Sequence, residues 1–274
     1  MANKGSFLNS SNAFNDPPAG SGAVQSRRPF PRFGAIGFNS QDVSTTYHSL
    51  QVKAEKRLST GLWYLVSYTF SKSLWHQNTP EKGGNTAWEK ATSDFNIPHN
   101  FALSSGYELP FGKGRALAGG AGRLADGLIG GWQMQGILVL RSGRPFTPTI
   151  SRDVANTGRG GQRPNRLASG RLDERTVDRW FDKSAFVLPP SFTYGNSGAR
   201  LLQEDSLEFF DFSLFKEFRV RERSRLQFRA EFFNLTNTPN FNPPGTDIDT
   251  AAGGRVTSTS STPRQIQFGL KYTF

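Results

Sequence analysis

Apolar and polar side chains alternate at every second position in seven separate segments of the chain. A period of two is typical of a β-strand whose two faces meet different surroundings, and helical periodicity is nearly absent. The sequence therefore predicts an all-β, antiparallel protein. The alternating apolar positions are Leu50, Val52 and Ala54; Leu62, Tyr64, Val66, Tyr68 and Phe70; Phe101, Leu103, Tyr107 and Leu109; Trp132, Met134, Leu138 and Leu140; Phe210, Phe212, Leu214 and Phe218; Leu226, Phe228, Ala230 and Phe232; and Ile266, Phe268, Leu270, Tyr272 and Phe274.

Alternation alone also describes a soluble sheet with one hydrated face. Strands of soluble proteins usually have ~5–6 residues, and these segments are about twice as long. Their opposite faces carry charged and amide side chains at mid-strand, as the lumen of an outer-membrane barrel requires. We therefore expect a transmembrane β-barrel segment of about eight long strands, a weaker strand near 33–38 included. The expected lumen-facing residues are Gln51, Lys53, Glu55, Asp211, Gln227, Arg229 and Glu231.

The connections between these segments alternate in length. Outer-membrane barrels have short periplasmic turns and long extracellular loops. If the last strand ends in the periplasm, every long connection falls outside the cell. The long connections are 72–99, 143–207 and 236–262, the short ones are 58–60 and 220–224, and 110–130 is intermediate.

Composition limits the function classes. The chain has no Cys, which excludes disulfides, zinc-thiolate sites and cysteine nucleophiles. No run approaches the ~20 apolar residues of a transmembrane helix. Residues 1–22 lack the apolar segment of a secretion signal, so we expect either a fragment of an exported protein or a cytosolic protein. We expect residues 1–28 to be a disordered or loop leader and residues 29–274 to be barrel.

No pattern of catalytic, cofactor-binding or metal-binding residues emerges. His48, His76 and His99 lie too far apart in sequence for metal-ligand spacing. The loose dinucleotide fingerprint at 120–125 has no surrounding βαβ unit, so it predicts a turn. Acidic neighbours such as Glu204 and Asp205 lie in polar loops. We expect a protein that is not an enzyme.

Arginines are concentrated in one long connection. Residues 141–200 hold ten Arg and one Lys against five Asp or Glu, in a chain of net charge +11. We expect an extracellular basic loop, which is either simply solvated or binds an anion. The first candidate partner is lipopolysaccharide phosphate, followed by an anionic ligand; nucleic acid ranks third and is not expected. The loop residues are Arg152, Arg159, Arg163, Arg166, Arg171, Arg175 and Arg179.

Several segments, in this order, resemble the barrel of Oar-like TonB-dependent receptors. The matching segments are YHSLQVKAEKR (47–57), YTFSKS (68–73), NIPHNF (96–101), GGWQ (130–133), RLQFRAEFFNLTN (225–237) and PRQIQFGLKYTF (263–274). The resemblance implies a longer receptor with a signal peptide, a small N-terminal β-sandwich, a plug, and a barrel of ~22 strands. It also implies the plug and the TonB complex as partners, and a location in the outer membrane.

The chain ends in one-sided aromatic alternation. Ile266, Phe268, Leu270, Tyr272 and Phe274 resemble the signal that the barrel-assembly machinery recognises, because such a strand can add to an exposed sheet edge. The alternative is an ordinary final strand. Aromatic residues near strand ends suit the membrane interface, and these are Trp63, Tyr68, Phe70, Tyr107, Trp132, Phe218 and Tyr272.

Two other functions stay open at this point. One is a small, self-contained barrel that acts as an anchor or adhesin. The other is a soluble β-sandwich module that binds carbohydrate or nucleic acid. The receptor and the anchor both predict an integral outer-membrane protein, whereas the sandwich predicts a water-soluble one.

Overall fold

The computed structural model describes residues 10–13, 15–40, 44–78, 88–221 and 224–274. In chain order, the strands are β1 (Ser10–Ala13), β2 (Gly37–Ser40), β3 (Ser44–Ser59), β4 (Leu62–Asn78), β5 (Trp88–Thr92), β6 (His99–Glu108), β7 (Trp132–Arg141), β8 (Pro145–Phe146), β9 (Asn165–Arg166), β10 (Phe186–Val187), β11 (Leu202–Gln203), β12 (Leu207–Arg221), β13 (Ser224–Phe233) and β14 (Gln265–Thr273).

One eight-stranded sheet dominates this part of the chain. Its order is β14-β13-β12-β7-β6-β4-β3, and β5 pairs with the C-terminal end of β4. All pairings are antiparallel. The predicted antiparallel sheet of about eight long strands is therefore confirmed. Its membership differs in one place, since the strand expected near 33–38 is β2, which pairs with β1 outside this sheet.

The register aligns the alternation of neighbouring strands into two distinct faces. One row of directly opposite residues runs through Ala54, Val66, Leu103, Leu138 and Phe210. Because successive side chains point to opposite faces, the adjacent residues of the same strands form a second row on the other face of the sheet. That row holds Glu55, Leu65, Ser104, Ile137 and Asp211. The sheet thus has an apolar face and a more polar face over its whole width.

The sheet is open at both ends. In the described part of the chain, β3 pairs only with β4, and β14 pairs only with β13. Backbone donors and acceptors along the outer edges of these two strands have no strand beside them in that part. An edge of this kind is a template for a further strand.

The main hydrophobic core lies outside the sheet, in the long connections 142–206 and 234–264, which together form the loop cap. It consists of Phe146, Ile150, Trp180, Phe181, Ala185, Phe186, Leu202 and Ile248. Burying each large side chain contributes roughly 1.5–3 kcal/mol. The long connections therefore form a folded unit with its own core. Within the cap, the chain makes a turn at Thr176–Arg179 and a 3-10 helix at Lys183–Ala185.

Residues that precede the main sheet dock on the loop cap. Asn15 is buried, and its Nδ2 donates to the carbonyls of Phe30 and Gly34 at 3.0 and 2.7 Å. Arg27 donates to the carbonyl of Asn156, whose side chain in turn donates to the carbonyl of Gly20 at 2.9 Å. Residues 15–28 are therefore an ordered loop, while the boundary between a leader and the barrel stays a prediction.

The intermediate connection contains one short helix, α1 (Arg123–Ile129), where the sequence predicted a turn at 120–125. Gly122 caps it, so the turn prediction holds only for the residues before Arg123. Trp132 Nε1, at the start of β7, donates to the carbonyl of Leu128 at 2.9 Å and fixes the helix against the strand. No helix in the described residues is both long and apolar enough to cross a membrane.

Candidate functional sites

The register places all the residues that were expected to face a lumen on the polar face. Gln51, Lys53 and Glu55 lie on β3, Asp211 on β12, and Gln227, Arg229 and Glu231 on β13. They form two groups rather than one cluster, because β4, β6 and β7 separate β3 from β12. That this face lines a lumen stays a prediction.

Each group contains a polar contact between two of its members. On β3, Lys53 Nζ lies 3.1 Å from Glu55 Oε2. On β13, Arg229 donates to Gln227 Oε1 at 2.8 Å and lies over the Phe215 ring at 5.5 Å. Asp211 accepts a hydrogen bond from the backbone of Asn234 at 2.8 Å, which ties β12 to the start of the loop cap.

The polar face also carries Trp63, which sequence reasoning placed among the membrane-interface aromatics. Trp63 lies directly opposite Gly106, and a Cβ at position 106 would overlap its indole ring. The ring therefore covers the glycine on the polar face, an arrangement known to support glycines in sheets. The other expected interface aromatics, Tyr68, Phe70, Tyr107, Trp132, Phe218 and Tyr272, do lie on the apolar face.

The C-terminal aromatic residues lie along an open edge. Ile266, Phe268, Leu270 and Tyr272 share the apolar face of β14 and are 52–69% exposed, and Phe274 is 93% exposed. Within the sheet, Phe268 stacks on Phe228 at 6.2 Å between ring centroids. This geometry suits strand addition, although recognition by the barrel-assembly machinery stays a prediction.

One buried charge on the apolar face was missed by the sequence analysis. Lys216 is only 2% exposed, donates to the carbonyl of Gly130, and lies 5.6 and 5.0 Å from the Trp132 and Phe218 rings. A lysine can bury its methylene stem along apolar surface when its ammonium finds a polar partner and aromatic rings. The Gly130 carbonyl and the Trp132 ring come from a distant part of the chain, so the pattern of β12 alone gave no signal for this site.

Several arginines of the predicted basic loop are paired within the fold. Arg152 pairs with Asp249, Arg159 with Asp16, Arg163 with Glu89 and Arg179 with Asp182. Arg175 lies over the Trp180 ring at 5.6 Å. Sequence reasoning missed most of these pairs because the carboxylates at positions 16, 89 and 249 lie far away along the chain.

The remaining loop arginines converge with two strand lysines on one groove, the basic groove. Its volume is about 620 Å³, and its cationic lining comprises Lys72, Lys90, Arg166, Arg171 and Arg200. Arg200 is bound to Asp94 and lies over the Trp75 ring at 4.4 Å. Within the described ranges, no carboxylate lies within ion-pair distance of Lys72, Lys90, Arg166 or Arg171. The groove therefore carries a surplus of positive charge.

Comparison with known families shows which class of protein this chain belongs to. The family described as "outer membrane beta barrel domain" matches residues 1–267. The chain belongs to this family. No curated protein matches it, and no solved structure matches it.

Membership in the outer membrane barrel family gives the two sheet faces their surroundings. In such a barrel one sheet face meets lipid and long connections lie outside the cell, so we expect the apolar face to meet lipid and the loop cap to be extracellular. The predictions of a transmembrane barrel segment and of an outer-membrane location are thereby confirmed. In the described part of the barrel, no three His, Asp or Glu side chains converge as metal ligands would.

A second pocket in the loop cap of the barrel holds two carboxyl groups. Glu204 and Asp205 line a cavity of about 220 Å³ with Arg141 and Arg144. Burial raises the pKa of Glu204 above its ordinary value, although Arg144 and Arg141 oppose the shift. Burial also raises the pKa of Asp205, against the backbone amides of Ser206 and Phe241. The folded cap therefore binds these protons more tightly than the unfolded chain does.

We expect the loop cap to lose stability as pH rises above the ordinary carboxyl range. A raised pKa means that the folded state holds more protons, so stability falls from about pH 4.5, the ordinary value for Glu, up through the raised pKa. The double variant Glu204→Gln, Asp205→Asn should show a flatter pH dependence than the unsubstituted chain. Urea titration of the detergent-folded protein between pH 4 and 8 would measure it, and parallel pH profiles would contradict the expectation.

Proposed function

We propose that this chain is the C-terminal barrel portion of a TonB-dependent outer-membrane receptor of the Oar-like type. The observation that carries the proposal is the open sheet, since in the described residues neither β3 nor β14 has an outer neighbour. A barrel leaves no sheet edge unpaired in the membrane, because lipid offers no hydrogen bonds. Closure therefore calls for further strands, as in a larger receptor barrel.

In this proposal the polar face lines the interior and contacts a plug. Arg229, Glu231 and Gln227 on β13 and Asp211 on β12 present both charge signs there, which suits a hydrated protein–protein contact. The loop cap takes part in capturing a ligand, and the TonB complex supplies energy for uptake or export. The barrel-assembly machinery inserts the chain through β14. No catalytic role and no nucleic-acid partner is proposed.

The second candidate is a self-contained barrel that serves as an anchor or adhesin. It is favoured by the loop cap, because a folded extracellular unit with its own core is a ready contact surface. The two candidates differ in one structural respect. An anchor has to close the sheet with strands of this chain alone, whereas a receptor portion takes strands from the rest of the receptor between β14 and β3.

Disulfide trapping tests this difference, because the chain has no Cys of its own. Cysteines at Gln267 on β14 and at Glu231 on β13, which are directly opposite, form the positive control. The test series combines Gln267→Cys with a cysteine at Gln51, Lys53 or Glu55 on β3. We expect cross-linking in outer membranes for the control pair only. Efficient β14–β3 cross-linking at any register would overturn the receptor proposal and establish the anchor.

A further inference from the structure

We propose that the basic groove binds phosphate groups, and that their source is the headgroup of lipid A in the outer leaflet. This proposal rests on the membrane orientation of the barrel and does not depend on the receptor role. A soluble sugar phosphate offers the same chemistry, so the test below separates the two sources.

The strand wall of the groove lies just beyond the lipid-facing apolar band. Lys72 shares its face of β4 with Val66, Tyr68 and Phe70, because the four residues are spaced by two. At ~3.4 Å per residue, Lys72 lies about 7 Å past Phe70 along the strand. Lys90, opposite His76, continues this face farther from the membrane. Both lysines are therefore placed at and above the level of lipid headgroups.

The second wall comes from the loop cap and supplies guanidinium groups. Arg166 uses its Nε to donate to the carbonyl of Ala168 at 2.8 Å, and in the described residues its Nη atoms have no hydrogen bond. Arg171 has a long contact of 3.5 Å from Nη2 to the carbonyl of Leu201. Planar guanidinium groups with free terminal donors bind phosphate oxygens in pairs.

The nearby acidic side chains do not neutralise this surplus. Glu89 lines the groove, but its Oε2 accepts from Arg163 at 2.6 Å and its Oε1 from the backbone of Ala199 at 3.2 Å. Asp94 is held by Arg200. An anion in the groove would therefore meet Lys72, Lys90, Arg166 and Arg171 without competition from these carboxylates, and it would relieve their mutual repulsion.

The test measures binding of fluorescent bisphosphorylated lipid A to the detergent-folded chain. The groove variant Arg166→Gln, Arg171→Gln should bind it at least about tenfold more weakly, because each arginine supplies charge-assisted hydrogen bonds. The matched control Lys113→Gln, Arg123→Gln removes the same charge at the opposite end of the strands and should bind like the unsubstituted chain. A second groove variant, Lys72→Gln, Lys90→Gln, tests the strand wall without altering the loop cap.

Competition identifies the source of the phosphate. If dephosphorylated lipid A fails to compete and glucosamine 6-phosphate competes only weakly, the lipid headgroup is the ligand. If glucosamine 6-phosphate competes as well as lipid A, the site is a phosphate site but its source is soluble, and the lipid assignment is overturned. If both groove variants bind lipid A like the control, the groove is only a solvated charged surface and the whole proposal fails.

Discussion

Replacing Arg163 with Met should destabilise the loop cap by about 3–5 kcal/mol, because it removes one partner of a buried ion pair. Arg163 is 2% exposed, and its Nη1 lies 2.6 Å from Glu89 Oε2. The same Nη1 donates to the carbonyl of Ser197 at 3.3 Å. Glu89 belongs to β5, so this pair joins the main sheet to the cap. Without the arginine, the Glu89 carboxylate, which is 12% exposed, would lose its buried guanidinium partner and keep the hydrogen bond from the backbone of Ala199.

Limited proteolysis of the detergent-folded protein would report the effect as faster cleavage within 142–206. The matched control is Arg159→Met, which also breaks an arginine–carboxylate pair of the same connection. Arg159 is 42% exposed, and its partner Asp16 keeps Arg28 at 3.6 Å, so the expected loss is under about 1 kcal/mol. The double variant Arg163→Met, Glu89→Gln should recover much of the stability. Equal cleavage of the Arg163 and Arg159 variants would show that burial of the pair is unimportant.

Leu138→Arg should destabilise the inserted barrel by about 2–4 kcal/mol, whereas Ile137→Arg should have almost no effect. The two residues are aliphatic neighbours on β7 and differ only in the face that they occupy. Leu138 lies between Leu103 and Phe210 on the lipid-facing side, where a guanidinium group cannot be hydrated. Ile137 lies between Ser104 and Asp211 on the polar face, and an arginine there would meet the Asp211 carboxylate.

Urea unfolding of the chain in phospholipid vesicles would give the two free energies, and the amount of each variant in outer membranes would give an independent readout. The comparison also tests which face lines the interior, a prediction that rests so far on alternation and register. A larger loss for Ile137→Arg than for Leu138→Arg would mean that the assignment of the faces is inverted.

The long strands could be predicted because each one carries its own evidence. In β7 or β13, alternation is a local pattern, and its meaning does not depend on any other segment. Register also follows largely from it, since a shift of one residue would move Arg229 and Glu231 to the lipid face. The polar positions at 51, 53, 55, 211, 227, 229 and 231 therefore share one face in the structure as they do in the sequence pattern.

The loops could not be predicted in the same way. Trp180, Phe181 and Phe186 have no periodic spacing, and they pack with Phe146 and Ile248 from other segments only because the chain brings these together. Charge composition alone indicated a basic loop, yet the charge of Arg152 or Arg163 is matched by an acid more than seventy positions away. A sum over a segment cannot show which of its charges are already paired.

By itself, the sequence determined the strand-forming segments, their two faces, the alternation of short and long connections, and the absence of cysteine chemistry. These properties are local, because a period of two fixes which side chains share a face. Only the tertiary structure decided that both edges of the sheet are open in the described residues, that the long loops form a cap with its own core, and that five cationic side chains gather in one groove. Those properties depend on contacts between distant segments, and no local pattern of side chains encodes them.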